Sequence, residues 1–147
     1  MDDTTHRELG VELFERCWEL LDQDTRSHDD NQELLVAAFA SRYHWSFAGG
    51  NEQFIIGDWM ISRVAAVVGE WELALSYAQR AYDQSQRVDV PDWLSASVCE
   101  GLARAYAASG NLASCEEWVT MAERLVALIV NDEDRELIAN QLASIPW

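Results

Sequence analysis

The sequence predicts an all-α fold of about seven helices, stacked as antiparallel hairpins. Three observations carry this expectation. Apolar residues recur at three- and four-residue spacing along nearly the whole chain, and no stretch sustains the alternation of a half-buried strand. Glycine and proline fall at intervals that cut the chain into helix-length pieces, the main breakers being Gly49-Gly50, Gly69, Pro91, Gly110 and Pro146.

The elements follow in order. Leu9, Leu13, Cys17 or Trp18, and Leu21 form the apolar stripe of a first helix. Leu35, Phe39, Tyr43 and Phe47 form that of a second, ending at Gly49-Gly50. Gly57, Ile61, Val64 and Val68 mark a third helix that is apolar nearly all round and is expected to be buried on most sides. Ala74, Ala78, Ala81 and Tyr82 define the fourth, and Val98, Leu102, Ala105 and Tyr106 the fifth. Trp118, Ala122, Leu125 and Ile129 define the sixth, and Leu137 to Leu142 a short seventh.

Terminators agree with these stripes. Gly69 and Gly110 stand where a helix ends in a left-handed residue, which glycine adopts without a Cβ clash. Pro91 suits a first helical turn, where its missing donor is not needed, and Asp92 beside it meets the positive end of the helix dipole. Asn111 and Asn131 or Asp132 can cap the helices that follow them. Connections this short make neighbouring helices antiparallel.

Two hairpins match each other at an offset of 41 residues: "ISRVAAVVGEWELALSYAQRAY" (61–82) and "LARAYAASGNLASCEEWVTMAE" (102–123). Ala66 aligns with Ala107, Gly69 with Gly110, Ala74 with Cys115 and Ala81 with Ala122. Small residues at the last two places let a second helix lie close on the first, the packing logic of a two-helix repeat. In this respect the chain resembles the tetratricopeptide repeat, on "GEWELALSYAQRA" (69–81) and "GNLASCEEWVTMA" (110–122). Ser62 and Ala103 replace the usual glycine of that pattern, Ala65 a tyrosine and Cys115 an alanine, and the period exceeds the family's ~34 residues. The resemblance implies one domain over 1–147. It would comprise a diverged hairpin (1–48), two repeat-like hairpins (51–88 and 91–130) and a capping helix (132–147), wound as a right-handed superhelix.

Charge narrows the function classes. Ten basic residues, all arginine, stand against 26 acidic ones for a net charge of −16. Such a chain repels phosphate backbones, and its scattered arginines form no basic patch, so no nucleic-acid partner is expected. The absence of lysine fits a GC-rich genome or a salt-adapted host. Eleven acidic residues lie between Asp2 and Glu33 against Arg7, Arg16 and Arg26; they read either as a solvated, solubilising face or as a docking surface for a basic partner. Cys17, Cys99 and Cys115 lack CxxC or zinc spacing. The opening "MDDTTHRELG" is unlike a signal peptide, and no apolar run reaches the ~18 to 20 residues needed to cross a bilayer. The expectation is a cytoplasmic protein with reduced thiols, no membrane partner and no cofactor.

The stretch "RYHWSFAGGNEQFIIGDWMISR" (42–63) concentrates the candidate site residues. A hairpin turning at Gly49-Gly50 brings Arg42 opposite Asp58 and His44 near Ile55 and Ile56. Arg63 falls one turn after Trp59. One reading is structural: Arg42 pairs with Asp58, Arg63 stacks on Trp59, and His44 caps or fills a gap. The other gathers Arg42, His44, Trp45, Asn51, Asp58, Trp59 and Arg63 around one ligand pocket. Trp71, Trp93 and Trp147, at helix starts and the chain end, are candidate exposed interface anchors. His6, His28 and His44 fall in separate segments without a metal or nucleophile motif, and no phosphate-cradling loop is present. The sequence therefore predicts a non-catalytic interaction module that binds a protein segment or a second copy of itself. A small-molecule sensor with its pocket near His44, Trp59 and Arg63, or an enzyme using that pocket, are the alternatives.

Overall fold

The computed structural model describes residues 1–147 as seven α-helices and no strand. They are α1 (Asp3–Leu21), α2 (His28–Ala48), α3 (Asn51–Val68), α4 (Trp71–Ser85), α5 (Asp92–Ser109), α6 (Leu112–Ala127) and α7 (Asp132–Ala143). No helix is long and apolar enough to cross a membrane.

Side chains at the termini explain where the helices start. Asp2 accepts the Thr5 N–H at 2.8 Å to open α1. Ser27 and Asp30 exchange bonds with each other's backbone N–H groups in a capping box that opens α2. Asn111 and Asn131 accept the Ser114 and Asp134 N–H groups to open α6 and α7. Pro91 stands one place earlier than the sequence suggests, just outside the helix, and its carbonyl accepts from Leu94 and Ser95 in the first turn of α5. Gly69 and Gly110 take φ of 90° and 82° and close α3 and α5 in the left-handed conformation.

Successive helices pack as pairs, α1 on α2, α3 on α4 and α5 on α6. The pairs stack through α2 on α3, α4 on α5 and α3 on α5, and α7 closes the end against α5 and α6. Inside the pairs, Ala74, Ala78 and Ala81 of α4 and Cys115 and Ala122 of α6 are all buried. With no bulk to hold the helices apart, the Ser62 hydroxyl on α3 donates to the Ala74 carbonyl at 2.9 Å. Helix boundaries recur with the sequence offset: α5 starts 41 residues after α3, and α6 starts 41 after α4.

The packing of α2 corrects one expectation. Phe39, Tyr43 and Phe47, expected on the core stripe, are exposed, and Leu35 is only half-buried. The buried face is Leu34, Ala37, Ala38 and Ser41. Small residues on that face let α1 approach until the Ser41 hydroxyl donates to the Gly10 carbonyl at 2.7 Å, an approach that a face of large rings could not permit.

Candidate functional site

The 41-residue spacing reaches further than the two matching hairpins. Trp18, Trp59, Glu100 and Gln141 stand 41 residues apart on α1, α3, α5 and α7, and the fold sets them side by side. The Trp18 and Trp59 rings lie 6.0 Å apart between centroids, and the Trp59 indole N–H donates to Glu100 Oε2 at 3.3 Å. Arg104 bridges onward, donating from Nε to Glu100 Oε1 at 2.8 Å and from Nη2 to the Gln141 carbonyl and the Ser144 hydroxyl at 2.9 Å each. Asp22, Arg63 and Arg104, one turn after the first three, repeat with the same spacing. Gly101 makes room for this row: a Cβ there would meet Trp59 Cδ1 at 3.0 Å.

The polar centre of this row is unbalanced. Glu100 is fully buried and serves two arginines, Arg104 at 2.8 Å and Arg63 Nη1 at 3.5 Å. Two cations share one carboxylate, and Asp22 is the further acid acting on Arg63. Arg63 is the weakly held member. Its guanidinium lies 5.1 Å from the Trp18 ring centroid and 5.7 Å from that of Trp59, and its buried Nε has no hydrogen-bond partner. Burial lowers its pKa to about 10; repulsion from Arg104 adds to the effect, while Glu100 and Asp22 oppose it.

Trp18, Trp59, Arg63, Gln141 and Ser144 face a groove, and Glu100 and Arg104 lie buried behind its wall. α1 and α7 do not pack on each other, and between them lies a cavity of about 260 Å³. Phe14 and Trp18 line it from α1, and Ile56 and Trp59 from α3. Trp93, Leu94 and Ser97 line it from α5, and Asp134, Leu137, Ile138 and Gln141 from α7. It continues past Trp18, Leu137 and Gln141 into a more polar hollow bounded by Asp22, Arg63, Asn140 and Ser144. In the other direction it passes Phe14, Trp18 and Ile56 toward Trp45, Gln53 and Gly57. An apolar trough with a few fixed polar groups at one end is the common form of a binding site between helices.

The candidate residues of 42–63 divide among several places rather than surrounding one pocket. Arg42 meets Asp58 at 3.1 Å and the ring of Phe54 at 4.6 Å, and Arg80 of α4 reaches the same carboxylate at 3.7 Å. Burial raises the Asp58 pKa against the opposing pull of both arginines. His44, expected near Ile55 and Ile56, instead shares a 2.9 Å hydrogen bond between Nδ1 atoms with His6 of α1, because the α1–α2 hairpin brings their termini together. Trp45 packs over Gly10, with Arg7 against its ring at 5.7 Å, and Asn51 is exposed in the first turn of α3. Only Trp59 and Arg63 reach the apolar cavity and its polar end; Trp45 borders the extension on the other side.

Of the three tryptophans expected at the surface, Trp71 and Trp147 are exposed, whereas Trp93 is half-buried in the groove wall. The sequence reading did not assign Glu100 and Arg104 to the site and placed Trp18 only on the apolar stripe of the first helix. The signal that could have found them was the 41-residue offset carried back from Trp59 to Trp18 and forward to Glu100, and from Arg63 to Arg104.

No group of three or more histidine, cysteine, aspartate and glutamate side chains is placed to hold a metal ion. The three cysteines are free and buried, with burial pushing the Cys17 thiol up to about 12 and the Cys99 thiol up to about 11. Comparison of the chain with family models, with curated proteins and with solved structures found no match.

Proposed function

We propose that this protein is a non-catalytic helical-repeat binding module that holds a short apolar segment of a partner protein in the groove between α1 and α7. The observation that carries this reading is the groove itself, walled by Trp18, Trp59 and Trp93 with Gln141 of α7, and with the unpartnered Arg63 Nε held beside it by the buried Glu100. Three tryptophans supply large, stiff apolar area at small cost in conformational entropy, as interface anchors do. Arg63 supplies a donor for one acceptor group on the segment. Recurrence of the same positions across successive helix pairs supports the tetratricopeptide-like reading, in which a superhelix presents one continuous face to its ligand. Buried, unpaired thiols are consistent with a reducing, cytoplasmic setting.

The test uses Leu137, which borders both the apolar cavity and its polar end and is 57% exposed. Peptides selected from a displayed random library on the wild-type protein should lose binding to a Leu137→Arg variant that melts normally. Selected peptides that bind both proteins equally would place the site elsewhere. A cavity of about 260 Å³ also has the size of a small ligand's site, close to the lower end of the usual range. In that second reading, small aromatic compounds should raise the wild-type melting temperature and leave that of Leu137→Arg unchanged.

A further inference from the structure

We infer that the apolar cavity between α1 and α7 receives a quaternary ammonium group, carried by the partner segment as a trimethylated amine. The inference rests on the groove being the binding site proposed above. Four aromatic side chains, Phe14, Trp18, Trp59 and Trp93, line the cavity from three helices. The Phe14 and Trp18 rings meet at 79° with centroids 6.5 Å apart, and Trp18 and Trp59 meet at 44°. Rings set at such angles enclose space that parallel, stacked rings would fill. Their faces carry the negative part of the ring quadrupole, which attracts a cation within about 6 Å of a centroid. Two of them already hold one: the Arg63 guanidinium lies 5.1 Å from Trp18 and 5.7 Å from Trp59.

Charge at the cavity has one sign. Asp134 is the only charged side chain that lines it. Arg135, its neighbour in sequence, is turned to Asp132 and the Ile129 carbonyl, so the Asp134 carboxylate is left without an ion-pair partner. Nor does α7 need that carboxylate at its start, where Asn131 caps the helix and Asp132 and Glu133 already meet the dipole. Arg63 and Arg104 at the polar end are answered by Glu100 and Asp22. The uncompensated charge is therefore that of Asp134, and the chain's net −16 adds a field that concentrates cations at its surface.

The wall selects the kind of cation. A primary ammonium is strongly hydrated and brings three donors, a poor match for a wall in which eight of eleven residues are hydrophobic. A quaternary ammonium has no donor to satisfy and presents its charge through methyl groups. It needs aromatic faces and a nearby carboxylate, and this cavity has both. An anionic group would be repelled by Asp134.

The probe is choline, followed by tryptophan fluorescence up to about 50 mM at constant ionic strength. Beside it stands dimethylbutanol, its neutral isostere with carbon in place of the charged nitrogen. Choline should bind about tenfold more tightly than the alcohol, and Leu137→Arg should abolish the binding of both. Asp134→Asn, with its melting temperature retained, should weaken choline about threefold to tenfold and leave the alcohol unchanged. No binding of choline, equal binding of the two, or a choline preference that survives Asp134→Asn overturns the proposal. The groove reading fails separately, when library-selected peptides bind Leu137→Arg as well as the wild type. A trimethyllysine peptide with apolar flanks should bind more tightly than free choline, and equal affinity overturns the partner segment as the carrier of the group.

Discussion

Trp59 donates its indole N–H to Glu100 across 3.3 Å, and the two residues hold the same position in successive helices of the groove. The carboxylate at the second position turns a plain aromatic row into a charged centre with two arginines. Glu100 is therefore the residue on which the groove wall depends.

Glu100→Gln should destabilise the protein strongly. It removes the only carboxylate paired with Arg104 and Arg63, both of which are largely desolvated. Stranding buried charge by deleting its partner costs about 3–5 kcal/mol, roughly 6–15 °C in melting temperature for a chain of this size. Urea unfolding measures it, and a loss below about 1 kcal/mol would mean that water reaches both guanidinium groups.

Arg63→Met should have the opposite sign. Arg104 still neutralises Glu100 in the variant, while the buried cation with its unpartnered Nε is gone. A gain of about 1 kcal/mol is expected, the low end of what apolar replacement of buried ion pairs gives. Urea melts of both proteins at about pH 8 measure the difference, and a variant less stable than the wild type would mean that Glu100 needs both cations. If Arg63 holds the ligand, the same variant loses binding while gaining stability, the trade expected of a functional residue.

Ala81→Leu tests the helix spacing within the second pair. Ala81 has no exposed surface and sits in the largest apolar cluster with Val64 and Leu94. The added methylenes should cost about 1–3 kcal/mol by overpacking, seen as a lowered urea midpoint. An unchanged midpoint would mean that α4 does not lie as close as the buried alanines require.

The thiols should be silent in the folded protein. Cys17, Cys99 and Cys115 are buried, and burial raises each thiol pKa. A colourless-to-coloured aromatic disulfide reagent should label none of them in buffer and all of them in strong denaturant. Rapid labelling of any one under native conditions would reveal a local opening near it.

What the sequence determined by itself was local. Helix ends were legible at Gly69, Gly110, Asn111 and Asn131 because a cap depends on residues within one turn of each other. The Arg42–Asp58 pair and the stacking of Arg63 on Trp59 were legible because one follows from a tight hairpin and the other from helical spacing. The tertiary structure decided which face of α2 is buried. That helix is apolar on both sides, so its own periodicity could not choose, and the close approach of α1 selected Ala37, Ala38 and Ser41 over the aromatic stripe. Tertiary packing also gave His44 its partner His6, 38 residues away, and brought Glu100 between Trp59, Arg63 and Arg104. The His6–His44 contact joins the far ends of one hairpin, and the contacts of Trp59 and Arg63 with Glu100 join separate hairpins. All three are fixed by how helices stack, whereas Glu100–Arg104 is an i,i+4 pair within α5.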